Sequence, residues 1–144
     1  MHRFKTLLLP LALACLPMAA PAAEFTLLIY EAPAEFAKRT DSGAAGQQYW
    51  QHYATYGKAM KDAGILRGGA PLQGAAEART ARLSAGAIKV ASGVHAPSAQ
   101  TLGGFFVIEA DSLDSALAWA ARAPAASLGG AVEVRPNFPA PAMP

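Results

Sequence analysis

The chain has 144 residues, a single cysteine, and 12 Lys and Arg against 10 Asp and Glu. That length suits one domain, and a lone cysteine excludes an internal disulfide. So small an excess of positive charge excludes a nucleic-acid binder that works through a basic stripe.

Residues 1–22 read as a secretory leader. Met1 to Lys5 is a short basic head, Thr6 to Ala20 is apolar and uncharged, and Ala20-Pro21-Ala22 supplies small residues for a peptidase. The apolar run is shorter than the roughly 20 residues of a membrane span. Pro10 and Pro17 further weaken a helix through it. Cleavage after Ala22 is expected, and with it a periplasmic or secreted protein. Leu13-Ala14-Cys15 offers a second outcome, a lipoprotein acylated on Cys15, although Ala12 stands where such a motif favours leucine. Cleavage removes Arg3, Lys5 and Cys15, leaving ten basic against ten acidic residues and no thiol. The mature protein is then expected to lack a stable membrane span.

Phe25 to Tyr30 predicts a strand that is apolar on both faces. Residues 32–46 predict a loop with a short helical turn. Gln47 to Ala63 predicts a helix with a stripe of Tyr49, Tyr53, Tyr56, Met60 and Ala63, ended by Gly64. A strand follows within Ile65 to Leu72. Arg79 to Leu83 and Ala87 to Ala91 predict a hairpin around Ala85-Gly86. After a loop, Gly103-Gly104 opens a strand from Phe105 to Ala110. Asp111 or Ser112 caps a second helix whose expected inner face is Leu113, Ala116, Leu117, Ala120 and Ala121, and Pro124 stops it. Ala131 to Arg135 is the last strand. One domain over 23–136 is expected, with a flexible proline-rich tail over 137–144.

This order predicts an α+β ferredoxin-like βαββαβ sandwich with an extra hairpin, two helices lying on one sheet face. Strands that are apolar on both faces need a second cover, and a second copy of the sheet is the simplest one. A homodimer is therefore expected.

Five segments in order resemble the YCII-related family, specifically its DGPF-domain branch. They are FTLLIYE (25–31), KDAGILRGGAPLQ (61–73), ARTARLSAG (78–86), LGGFFVIEADSLDSALAWAARAPAA (102–126) and VEVRPNF (132–138). The resemblance implies a ferredoxin-like fold and a dimeric α/β barrel. The motif that names the branch falls on Ser92-Gly93-Val94-His95, where only the glycine is kept. No role of its aspartate or phenylalanine carries over to Ser92 or His95.

His95 is a loop imidazole that can move protons near neutral pH, or a rim histidine filling a vacated aromatic slot. His52 lies on the tyrosine helix, in the helix where relatives of the branch are thought to use a histidine with an aspartate. It also fits a partly buried structural histidine. Asp111 is the carboxylate partner for either, and equally an ordinary helix cap. Tyr53 and Tyr56, with Tyr49, are expected in a core or pocket wall. Arg135 can bind a carboxylate, or pair with Glu133 two residues away. No HxH, HxxxH or ExxH pattern appears, so no metal and no cofactor is expected. The leading expectation is a domain that binds a small molecule or a partner in a sheet–helix or inter-subunit cleft. The alternatives are a cofactor-free lyase, isomerase or oxygenase-like enzyme with a histidine proton shuttle, and a structural accessory subunit.

Overall fold

A computed structural model describes residues 22–139. The expected leader, apart from Ala22, and the end of the tail lie outside the described residues. The elements run β1 (Ala23–Glu31), α1 (Pro33–Ala37), a 3-10 turn (Lys38–Thr40), α2 (Ala44–Asp62), β2 (Leu66–Pro71), β3 (Arg79–Ser84), β4 (Ala87–Ser92), β5 (Thr101–Ala110), α3 (Leu113–Ala120), α4 (Pro124–Ser127) and β6 (Ala131–Pro136).

Four strands form one sheet in the order β2-β5-β1-β6, each pair antiparallel. Strand β1 is central. Its period of two buries Phe25, Leu27, Ile29 and Glu31 on one side and leaves Thr26, Leu28 and Tyr30 half-buried on the other. Helices α2 and α3 cover the first side, where Tyr56, Met60, Ala116 and Ala120 pack with Phe25, Leu27, Ile29 and Ile108. Burial of each large aliphatic chain here contributes about 1.5–3 kcal/mol.

Several expectations change. Leu113 and Leu117 are not on the inner face of α3; they are 44 % and 46 % exposed. The helix instead turns its alanines Ala116 and Ala120 onto the sheet, and small side chains let it sit close. Of the two caps expected, Asp111 or Ser112, the one used is Ser112, with Oγ accepting from the Ser115 amide at 3.1 Å. Pro124 also does more than end a helix, since it begins α4 from the first position, where a missing N–H costs nothing. Asn137, placed in the expected tail, is tied to β1 through its amide to the Glu24 carbonyl at 2.8 Å.

The dimeric α/β barrel is overturned. The four-stranded sheet is open, with β2 and β6 as free edges, and the hairpin β3–β4 is a separate two-stranded sheet instead of an extra strand of the first. The edges are blunt for a physical reason. Each of these strands ends in a proline, Pro71 or Pro136, which has no N–H to extend a ladder, and β2 is irregular between Leu66 and Gly68.

Two local features set up the site. Between Ile29 and Tyr30 the β1–β5 register slips by one residue, leaving Gly103 as the unpaired member of a bulge. At the start of α2, a Cβ on Gly46 would fall on the Asp41 carbonyl, so only glycine lets the helix close onto the preceding turn. That closure brings α2 beside Arg39.

Candidate functional site

The inward side of β1 reads Phe25, Leu27, Ile29, then Glu31. A carboxylate thus occupies the fourth position of an apolar face, and it is 1 % exposed. Burying a charge unpaired costs several kcal/mol, so partners are required. Arg39, from the 3-10 turn, donates from Nη2 to Glu31 Oε2 at 2.7 Å. Tyr49 and Tyr53, one turn apart on α2, donate their phenol hydrogens to Glu31 Oε1 at 2.7 and 2.8 Å.

Arg39 holds more than the carboxylate. Its Nε donates to the Tyr49 oxygen, its Nη1 to the Leu72 carbonyl at 2.7 Å, and its Nη2 also to the Gly103 carbonyl at 2.6 Å. The bulge at Gly103 aims that carbonyl inward. The guanidinium lies 4.5 Å from the centre of the Phe36 ring, which fits a cation–π contact. One arginine therefore joins the end of β1, the 3-10 turn, α2, the chain after β2 and the start of β5. Among the described residues no buried side-chain polar atom is left without a partner.

Burial raises the Tyr49 and Tyr53 phenols well above the ordinary tyrosine range, and the neighbouring Glu31 carboxylate raises them further. Tyr56 is pushed up to about 12 by burial alone, with nearby Arg122 acting in the opposite sense. A carboxylate bound by two phenols and a guanidinium is fixed in position. It is suited to organise a cavity floor without adding net charge.

Two cavities flank the tyrosine pair. One, of about 130 Å³, lies between α2 and the β2–β5 edge, lined by Ile29, Trp50, Pro71, Phe106, Tyr49 and Tyr53, with Arg39 as its charged member. The other, of about 120 Å³, opens on the opposite side, where Glu31, Glu35, Lys38, Gln48 and His52 meet the same two tyrosines. At its mouth Lys38 donates to Glu35 at 2.6 Å.

The residues expected from sequence are dispersed. His52 lines the second cavity but is exposed, and among the described residues it makes no side-chain hydrogen bond. His95 is exposed near the base of the hairpin and bonds Arg82 at 2.8 Å; since a guanidinium only donates, its Nδ1 is the acceptor. Asp111 is exposed at the entry to α3. None of these three is hydrogen-bonded to another. Tyr53 does reach the site. Tyr56 is a core residue whose hydroxyl donates to the Trp119 carbonyl at 3.0 Å and whose ring meets Phe106 edge-on. Arg135 pairs with Glu133 on its own strand at 2.6 Å, both exposed, an arrangement worth about 0–1 kcal/mol. No group of three metal-ligating side chains occurs among the described residues, and no described helix is long and apolar enough to cross a membrane.

Glu31 and Arg39 were not among the expected site residues. The signal was present in the parity of β1, where Glu31 shares a face with Phe25, Leu27 and Ile29. For Arg39 sequence held no comparable cue, because its partners come from distant segments. No curated protein matches the chain. The YCII-related domain matches residues 23–140, nearly the whole of the fold just described, and the chain belongs to that family.

Proposed function

We propose that this YCII-like domain binds a small, uncharged, largely apolar molecule in the cleft between α2 and the β2–β5 edge. The observation that carries the reading is the cavity of about 130 Å³ walled by Trp50, Tyr49, Tyr53 and Phe106. A dry cavity of roughly 150 Å³ accommodates benzene, so this one suits a single small ring. The charges beneath it belong to Glu31 and Arg39, which neutralise each other. An ionic ligand would gain little there and would lose its hydration. The reading is one of binding, because Arg39, the charged member of the lining, is already engaged by Glu31.

The test uses 5-fluorotryptophan, because the chain has two tryptophans. Trp50 borders the cavity, and Trp119 on α3 serves as an internal reference. Titration with benzyl alcohol or cyclohexanol should shift the Trp50 fluorine resonance saturably and leave Trp119 in place. Benzoate should bind at least tenfold more weakly. Equal movement of both resonances, or none with any ring compound, rejects the reading.

A second reading, a histidine proton shuttle, is supported only by His52 at the rim of the neighbouring cavity. We further propose that the protein is exported after loss of its leader, and N-terminal sequencing of the purified protein should then begin at Ala23. A lipid on Cys15 would reject that cleavage site. Membership of the DGPF branch rests on the five ordered segments, and a homodimer on the uncovered sheet face of Leu28, Tyr30, Phe105 and Val107.

A further inference from the structure

We propose that the β3–β4 hairpin is a docking element for an anionic lipid surface. The hairpin is its own two-stranded sheet, and its base is fastened by Gly93 N–H to the Ala78 carbonyl at 2.9 Å and Thr80 Oγ1 to the Gly93 carbonyl at 3.0 Å. A two-stranded ribbon is marginal in water unless something covers its apolar face. Here the register sets Leu83 opposite Ile88 and Ala81 opposite Val90 on one face. Leu83, Ile88 and Val90 are 75 %, 73 % and 64 % exposed, so that face has no cover among the described residues.

The other face identifies the cover by charge. Arg82 stands opposite Lys89 on it, Arg79 lies at the base on the aliphatic side, and no Asp or Glu occurs from 79 to 92. Elsewhere in residues 22–139, seven Lys and Arg face ten Asp and Glu. The hairpin is thus a basic, aliphatic projection from an acidic domain, which orients it toward a negative surface. The tip, Ser84-Ala85-Gly86-Ala87, is small and uncharged, with Ala85 and Gly86 both at positive φ.

A lipid surface accommodates both faces. The aliphatic face enters the boundary between headgroups and acyl chains by about 5–10 Å. The long stems of Arg82 and Lys89 reach back to the phosphates. A second copy of this chain is a poorer match for the cations. On its uncovered sheet face Glu109 and Glu133 are already paired, with Arg67 and Arg135.

The purified chain should co-sediment with phosphatidylcholine vesicles that contain phosphatidylglycerol, and at least tenfold less with phosphatidylcholine alone. Leu83→Ser with Ile88→Ser should abolish the binding. Arg82→Gln with Lys89→Gln keeps the aliphatic face and should weaken binding about 25-fold, each basic residue contributing about fivefold near an anionic surface. Failure to bind, or binding unchanged in both double variants, overturns the proposal. It is also overturned if the serine variant converts a dimer to a monomer in sedimentation equilibrium while wild type ignores the vesicles. That result would make a second copy the cover. Ring-compound binding near Trp50 is a separate readout, and its failure would leave the hairpin proposal standing.

Discussion

Replacing Glu31 with alanine should destabilise the domain by about 3–5 kcal/mol, the cost of breaking a buried ion pair by removing one partner. For a domain of this size that lowers the melting temperature by about 10–20 °C. The loss exceeds one hydrogen bond because three donors lose their acceptor together. Arg39 would be left charged and 12 % exposed, and the Tyr49 and Tyr53 hydroxyls would lose Glu31 Oε1. Arg39→Lys should be nearly as harmful, although it keeps the charge. The guanidinium spends Nε, Nη1 and Nη2 on partners in different directions, which one ammonium cannot reach. Gly103→Ala attacks the same network from the sheet side, since its Cβ would fall on Glu31 Oε2. Overpacking of that kind costs about 1–3 kcal/mol. Glu133→Ala, which removes the exposed partner of Arg135, should change stability by less than about 1 kcal/mol. Urea unfolding of the four variants measures these differences. A cost for Glu31→Ala no larger than that for Glu133→Ala would show that the buried network does not hold the fold.

The strands and the long helix were legible because their periods are strong. Phe25 to Tyr30 and Phe105 to Ala110 sit inside β1 and β5, and the stripe of Tyr49, Tyr56 and Met60 is the buried face of α2. The α+β class follows from that order. Sheet closure was not legible, because it depends on whether edges pair. Pro71 and Pro136 at the edges argued against pairing, but their positions as edges emerge only from the topology. Alpha3 misled for a different reason. Hydrophobicity ranks Leu113 and Leu117 above alanine, yet packing distance favoured Ala116 and Ala120. The site was the least legible part. Reasoning from residue chemistry selects histidines, whereas the structure gathers a strand carboxylate, a turn arginine and two helix tyrosines. Their joint position depends on a bulge at Gly103 and a close approach at Gly46, both of which are backbone events.

Raising the pH should unfold the domain cooperatively between about pH 10 and 12. A tyrosine in the unfolded chain loses its proton near pH 10. In the fold, burial pushes Tyr56 up to about 12, and burial together with Glu31 raises Tyr49 and Tyr53 as well. Above pH 10 the folded state therefore holds more protons than the unfolded one, so stability falls as pH rises. The contribution of these phenols is fully present below the unfolded pKa and is lost as pH rises toward the folded values. Each phenol removes up to about 1.4 kcal/mol per pH unit, and three together about 4. A stability of about 5–7 kcal/mol, toward the lower end of the usual range, is exhausted within some two pH units. The tyrosinate absorbance of these three phenols should thus appear at the same midpoint as the loss of far-UV circular dichroism. If absorbance instead rises smoothly from pH 10 while the dichroism is unchanged, the three phenols are not protected. Tyr56→Phe separates the two effects of one phenol. At neutral pH it loses the bond to the Trp119 carbonyl, about 0.5–1.5 kcal/mol, yet its stability should fall about one third less steeply with pH. A variant that keeps the wild-type slope would show that Tyr56 already titrates near pH 10 in the folded state, and so that its burial does not exclude the phenolate.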